Sequence, residues 1–248
     1  VVPSMKAAIF GFTDIDDKVM IQTPVYPPFY HSVTKAKRKL IKNPLIFDGE
    51  KYNIDFDDFE KKIKTGVKLF ILSNPHNPAG RVWTAEELNK MVDICYANNV
   101  KILSDEIHSD IIFKGYKHTV INSVSDKAKN ISIVCQSPSK TFNIAGLSSS
   151  FVIVENEVVR KQMWDSMDSV GIDSINLLGL SAFEAAYSHG EKWLEEMLEY
   201  VEGNADFTVD YIRDKLPQIK VFKPQATYLM WLDFRNYKLN QQELMNKL

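Results

Sequence analysis

Three short segments carry the side chains best suited to chemistry. In chain order they are Asn74-Pro75-His76-Asn77-Pro78-Ala79-Gly80, Ser104-Asp105-Glu106-Ile107-His108 and Ser137-Pro138-Ser139-Lys140-Thr141-Phe142-Asn143. Between them they offer an amine, a carboxylate and a primary amide. Lys140 is the candidate nucleophile, because a neutral lysine amine condenses with carbonyl carbons. Asp105 can pair with a protonated ring nitrogen, and Asn77 can donate its amide to a ring oxygen. These are the needs of pyridoxal 5′-phosphate (PLP), whose aldehyde takes an amine and whose pyridine nitrogen takes an anion. The set predicts an enzyme acting on a small amino-acid substrate, with Lys140 as its catalytic residue.

Further candidates surround this core. His108, three residues after Asp105, can share the ring oxygen with Asn77. Ser137 and Ser139 can reach the phosphate. Val1 and Val2 precede Pro3, which fits the first turn of a helix, and backbone N–H groups at a helix start suit a phosphate. Tyr26, in Thr23-Pro24-Val25-Tyr26-Pro27-Pro28-Phe29-Tyr30, can stack on the ring. Each residue also has a plainer reading. Lys140 alone is an exposed loop lysine, Asp105 a helix cap, Asn77 a turn residue, and the serines loop caps. His108 and Tyr26 alone are ordinary packing. The order of the segments favours chemistry, because each directly follows a strand candidate. In open α/β sheets ligands bind beyond the carboxyl ends of the strands.

The positioning elements follow from apolar patterning. Continuous β-branched runs predict buried strands over 18–22, 67–72, 100–103, 131–136 and 151–154. Thr84 and Glu87 form a capping box, and Leu88, Met91, Val92 and Cys95 then recur at helical spacing until Asn98-Asn99. Strand, helix, strand implies a crossover and an α/β fold, a mostly parallel sheet flanked by helices. Helices are predicted over 157–167, and from 177 to about 201 and on to Leu216, where Pro217 stops the pattern. Runs at 220–222 and 227–234 read as strands of a smaller α+β unit. The expected division is a large domain over 1–200 and the beginning of a small one over 201–248.

The 248 residues are 45% hydrophobic and 25% charged, ordinary for a soluble globular protein. A net charge of -2 gives no electrostatic case for nucleic acid or a membrane surface. The basic cluster Lys35, Lys37, Arg38, Lys39 and Lys42 reads as a solvated helix face. Cys95 and Cys135 read as reduced core residues of a cytoplasmic protein, neither a disulfide nor a metal pair. No apolar run is long enough to span a bilayer. Residues 5–12 are too short for a signal peptide, and acidic residues follow at once. The chain starts at Val1 and stops inside an unfinished amphipathic pattern over 241–248, so it is read as a piece of a larger protein.

These positions resemble the fold-type-I PLP enzymes of the class I/II aminotransferase superfamily. Within it they look most like the MalY/PatB-like cystathionine β-lyase (C–S lyase) branch. The branch-level marks are TPVYPPFY over 23–30, DEIH over 105–108, SKTFNIAGL over 139–147 and TYLMWLDFR over 227–235. The resemblance implies a PLP-transferase-like fold, a homodimer, and α,β-elimination of cystathionine or cysteine to a thiol, pyruvate and ammonia. General aminotransferases usually carry tyrosine at the position of His108, and often a phosphate-binding arginine at that of Ser148. The histidine fits the lyase branch, whereas the serine departs from the common phosphate site. The family's N-terminal segment and its C-terminal carboxylate-binding arginine are not in this sequence. A class I/II aminotransferase, which shares the early steps, and an inactive binding or regulatory module are the alternative readings.

Overall fold

The structure is a computed structural model that describes residues 1–172, 174 and 177–247. Its strands are β1 (Lys18–Thr23), β2 (Lys39–Pro44), β3 (Ile46–Phe47), β4 (Tyr52–Asn53), β5 (Val67–Ser73), β6 (Lys101–Asp105), β7 (Ser132–Gln136) and β8 (Phe151–Ile153). Its helices are α1 (Val2–Phe12), α2 (Pro27–Lys35), α3 (Phe56–Ile63), α4 (Ala85–Ala97), α5 (Asp126–Ile131), α6 (Pro138–Thr141), α7 (Glu157–Ser169), α8 (Leu177–His189), α9 (Glu191–Lys215) and α10 (Gln241–Met245). The main sheet runs β2-β1-β5-β6-β7-β8. Its pairs are parallel except β7 with β8.

Alternation along each strand splits the core into two layers. Val19, Ile21, Leu69, Ile71, Leu103, Ile133 and Cys135 pack under α1, α2 and α7 with Met5, Phe29 and Met163. Met20, Phe70, Leu72, Ile102 and Val134 face α3, α4 and α5 with Phe59, Leu88, Met91 and Cys95. Both faces are covered, which is why these strands read as unbroken apolar runs. The capping box of α4 forms as its sequence predicts, with Thr84 Oγ1 accepting from Glu87 N–H and Glu87 Oε2 accepting from Thr84 N–H. Both cysteines are buried and free, and burial pushes both thiols up. No helix among the described residues is long and apolar enough to cross a membrane.

Three local expectations are corrected. The basic cluster is not one helix face. Lys35 ends α2, Lys37 turns left-handed at φ 58°, and Lys39 and Lys42 lie on the edge strand β2. Lysines on an edge strand discourage pairing with another chain. The runs at 220–222 and 227–234 form no strand, and Lys220 and Asp233 meet in an isolated bridge. One bridge is not a ladder, and alternation alone does not supply a partner. The helical pattern from 177 is interrupted at Gly190, where a Cβ would run into the Phe142 ring and the carbonyl of Ala186.

The segment after α9 is clasped to the loop that follows β5. Gly80 C=O accepts from Gln225 N–H at 2.8 Å and Ala226 N–H at 3.2 Å. Gln225 Oε1 accepts from the buried Arg81 guanidinium at 3.0 Å and from Val82 N–H at 2.9 Å. Gly80 sits at φ +62°, and a Cβ there would run into Pro224. Gly80→Ala therefore combines a left-handed strain with a clash. It should cost about 2 kcal/mol or more and lower the thermal midpoint. A variant melting at the wild-type temperature would show that Pro224 yields freely.

Candidate functional site

Four strand ends face one cavity of about 450 Å³. The carboxyl end of β1 brings Tyr26, β5 brings Ser73, Asn77 and Pro78, β6 brings Asp105 and His108, and the turn after β7 brings Lys140. β1 and β5 sit side by side where the strand order reverses, the place where such sheets bind ligands. The far wall comes from residues 228–231, with the Tyr228 ring edge-on to His108 at 5.5 Å.

Backbone and side-chain bonds hold the loops together. His76 Nε2 lies 2.7 Å from the carbonyl of Pro24, and Tyr26 N–H donates to the carbonyl of Asn77 at 3.2 Å. Burial pushes His76 down to about 4, so at neutral pH it is uncharged and Nε2–H can donate to that carbonyl. Ser73 Oγ accepts from Asn77 N–H at 3.0 Å, which fixes the start of the amide-bearing loop. Thr141, beside Lys140, donates its hydroxyl to Asp110 Oδ2 at 2.8 Å and ties the lysine turn to the β6 loop. Phe142 is pressed between Tyr187, Trp193 and Gly190.

Asp105 is 7% exposed; its Oδ1 accepts from Ile107 N–H at 3.3 Å, and Oδ2 has no protein partner among the described residues. Its carboxyl is pushed up to about 6, mainly by burial, while Ile107 N–H and the Lys140 amine pull the other way. His108 is buried, its Nδ1 has no partner among the described residues, and burial, then the charge of Lys140, pushes it down to about 4. The Lys140 amine and the Asn77 amide form no hydrogen bond or ion pair among the described residues.

Of the nine candidate residues, Tyr26, Asn77, Asp105, His108 and Lys140 line the cavity, and Ser137, Ser139, Val1 and Val2 do not. Ser137 caps α6: its Oγ accepts from Ser139 N–H at 3.1 Å and donates to the carbonyl of Ser149 at 2.5 Å. The Ser139 hydroxyl lies 2.8 Å from Ser137 Oγ. Val1 and Val2 open α1. Sequence reading marked TYLMWLDFR as a family feature but did not assign its residues 228–231 to the site. Their alternating apolar pattern describes a wall as well as a strand; backbone bonds of residues 225–227 to Gly80, Ile111 and Phe113 bring them over the β6 loop.

The sequence matches the family described as Aminotransferase class I and II over residues 4–248. The chain belongs to this family. It is similar to cystathionine beta-lyase PatB of Bacillus subtilis (strain 168), at 43% identity over 249 residues, covering 100% of this chain and 64% of that protein. Among solved structures it is similar to cystalysin from Treponema denticola, which contains a pyridoxal 5′-phosphate cofactor. The TM-score is 0.96 at 36% identity, over 99% of this chain and 62% of that one. It is also similar to the PLP-bound C-S lyase from Staphylococcus hominis, with a TM-score of 0.87 at 38% identity, over 95% of this chain and 61% of that one. The chain thus spans a little under two thirds of the length of these relatives. The mostly parallel α/β sheet is the fold these neighbours share, as the sequence predicts.

Proposed function

We propose that this chain is the cofactor-binding part of a carbon–sulfur β-lyase that uses pyridoxal 5′-phosphate. The observation that carries the reading is the convergence of an unpaired amine, a buried acid and a free amide on one cavity. A buried carboxyl with one oxygen lacking a protein partner is chemically matched to a cationic ring nitrogen. The unpartnered nitrogen of His108 and the free Asn77 amide are matched to a ring oxygen. The residues present therefore fit the group. When bound, PLP supplies an electron-withdrawing ring that acidifies the substrate's Cα–H bond.

Each side chain then has a task. Lys140 would hold the cofactor through its aldehyde carbon and, when free, would take the Cα proton as general base. Asp105 would face the ring nitrogen and, ionised, would favour its cationic form. Asn77 and His108 orient the ring through its oxygen, and Tyr26 covers one face. The phosphate would lie beyond the cavity lining, against the start of α1 at Val1 and Val2 and the hydroxyls of Ser137 and Ser139. The C–S bond breaks with its electron pair leaving on sulfur. Water then releases the remaining three-carbon fragment as pyruvate and ammonia. Cystathionine would give homocysteine, and cysteine would give sulfide.

The lyase reading is supported by His108 in its DEIH context and by the 43% identity to a cystathionine beta-lyase. A homodimer, a cytoplasmic location, a small amino-acid substrate and no nucleic-acid or membrane partner belong to the same reading. The exposed Leu177, Leu178, Tyr200 and Phe207 on α8 and α9 support a covering subunit. The deciding measurement is product analysis on the full-length protein with PLP and cystathionine. Pyruvate should form without any 2-oxo acid acceptor. Turnover that requires an acceptor would assign transamination instead.

A further inference from the structure

Glu106 follows Asp105 but turns away from the cavity. It is 0% exposed, and its carboxylate is fully engaged. Oε1 accepts from Ser104 Oγ at 2.9 Å, from Ile121 N–H at 3.1 Å and from Asn74 Nδ2 at 3.3 Å. Oε2 lies 2.7 Å from His118 Nε2. A buried carboxylate is expensive, and apolar packing of the same volume is often as stable. Here the partners come from three separate pieces of chain. Ser104 lies on β6 beneath Asp105. Asn74 opens the loop that ends in Asn77 and Gly80, and it also donates to the carbonyl of Thr119 at 3.0 Å. His118 and Ile121 lie in the segment between β6 and β7. Asn74 N–H further donates to the carbonyl of Asp105 at 2.9 Å, so backbone and side chain join the same two strand ends.

We propose that Glu106 is a positioning residue, whose carboxylate fixes the distance between the loop carrying Asn77 and the strand end carrying Asp105. This rests on the cofactor reading above, in which Asp105 and Asn77 grip two atoms of one rigid ring. A ring tolerates little error in that spacing, and a loosely supported site binds weakly even when every contacting residue is present. No atom of Glu106 lines the cavity, so it acts through its neighbours. Alanine would leave four hydrogen-bond donors facing a void. Glutamine keeps the shape and, because His118 can change tautomer, most of the bonds.

The test compares Glu106→Ala, Glu106→Gln and Asn74→Ala in the full-length protein. PLP affinity is read from the cofactor's visible absorbance, and stability from thermal melts. Leu88→Ala, in the core beneath α4, serves as a control that lowers stability away from the site. Glu106→Ala should weaken PLP binding about tenfold or more, and Glu106→Gln should restore most of it. Asn74→Ala removes its bonds to Glu106 and Thr119 and leaves the other three Glu106 bonds; it should weaken binding in the same direction and carries the test if Glu106→Ala does not fold. Leu88→Ala should melt lower and bind PLP like wild type. Affinity that follows melting temperature across all variants, control included, overturns the proposal. So does a folded Glu106→Ala protein with wild-type affinity. Failure of the wild type to bind PLP would sink the cofactor reading instead. In that case amide exchange of residues 74–80 decides: faster exchange in Glu106→Ala than in the control upholds the coupling, and equal exchange overturns it.

Discussion

Lys140→Ala in the full-length protein should lower the rate of pyruvate release from cystathionine by about 10⁴-fold or more. A positioned general base alone contributes about 10²–10⁴, and this side chain is also the covalent anchor for the cofactor. The structure leaves the amine half-buried and unpaired in the cavity, close enough for its charge to act on both Asp105 and His108. Borohydride reduction followed by mass spectrometry separates the two roles. Wild-type protein should retain the cofactor's mass and the variant should not. A Lys140→Ala protein that turns over at the wild-type rate refutes the assignment.

Asp105→Asn should cost about 10²–10³ in turnover, the scale seen when one preorganised electrostatic partner is removed. The amide keeps the shape and can still accept from Ile107 N–H, so the loss measures the charge. The same variant carries a pH signature in the cofactor-free protein. Burial raises the Asp105 carboxyl from 3.8 to about 6. Between those values the folded state holds a proton that the unfolded state has lost, so stability falls as pH rises. His76 and His108 act in the opposite sense. Both are lowered from 6.5 to about 4, so their contribution is complete above 6.5 and is lost as pH falls through 4. Wild-type stability should therefore change less across this window than that of Asp105→Asn, whose melting temperature should rise more steeply from pH 4 to 6. Parallel melting curves would mean that the carboxyl titrates at its ordinary value.

The sequence made the cavity-bearing half of the sheet legible because its strands are buried on both sides. Uninterrupted apolar runs at β1, β5, β6 and β7 leave few competing interpretations, and turn residues mark where each run ends. The capping box of α4 is a purely local code and formed as written. What escaped was set by distant contacts. β2 was hidden because an edge strand can carry lysines on positions that look helical. The runs at 220–222 and 227–234 have strand composition but meet in one bridge. The wall at 228–231 depends on a clasp to Gly80 more than 140 positions earlier, which no periodicity encodes. Glu106 was equally opaque: adjacent acids look interchangeable in a sequence, and only their partners distinguish them.

That adjacency has a consequence for how β6 can vary. Ile102 and Leu103 are both fully buried, on opposite faces, so exchanging faces would expose neither. The usual guard against slippage, an oily side set against a wet one, is therefore missing from this strand. Asp105 and Glu106 supply it. Deleting a single residue upstream of them would aim Glu106 at the binding hollow and set Ile107 among the donors that now bond Glu106. The tolerance of this stretch to insertions and deletions should be lower than its greasy composition suggests.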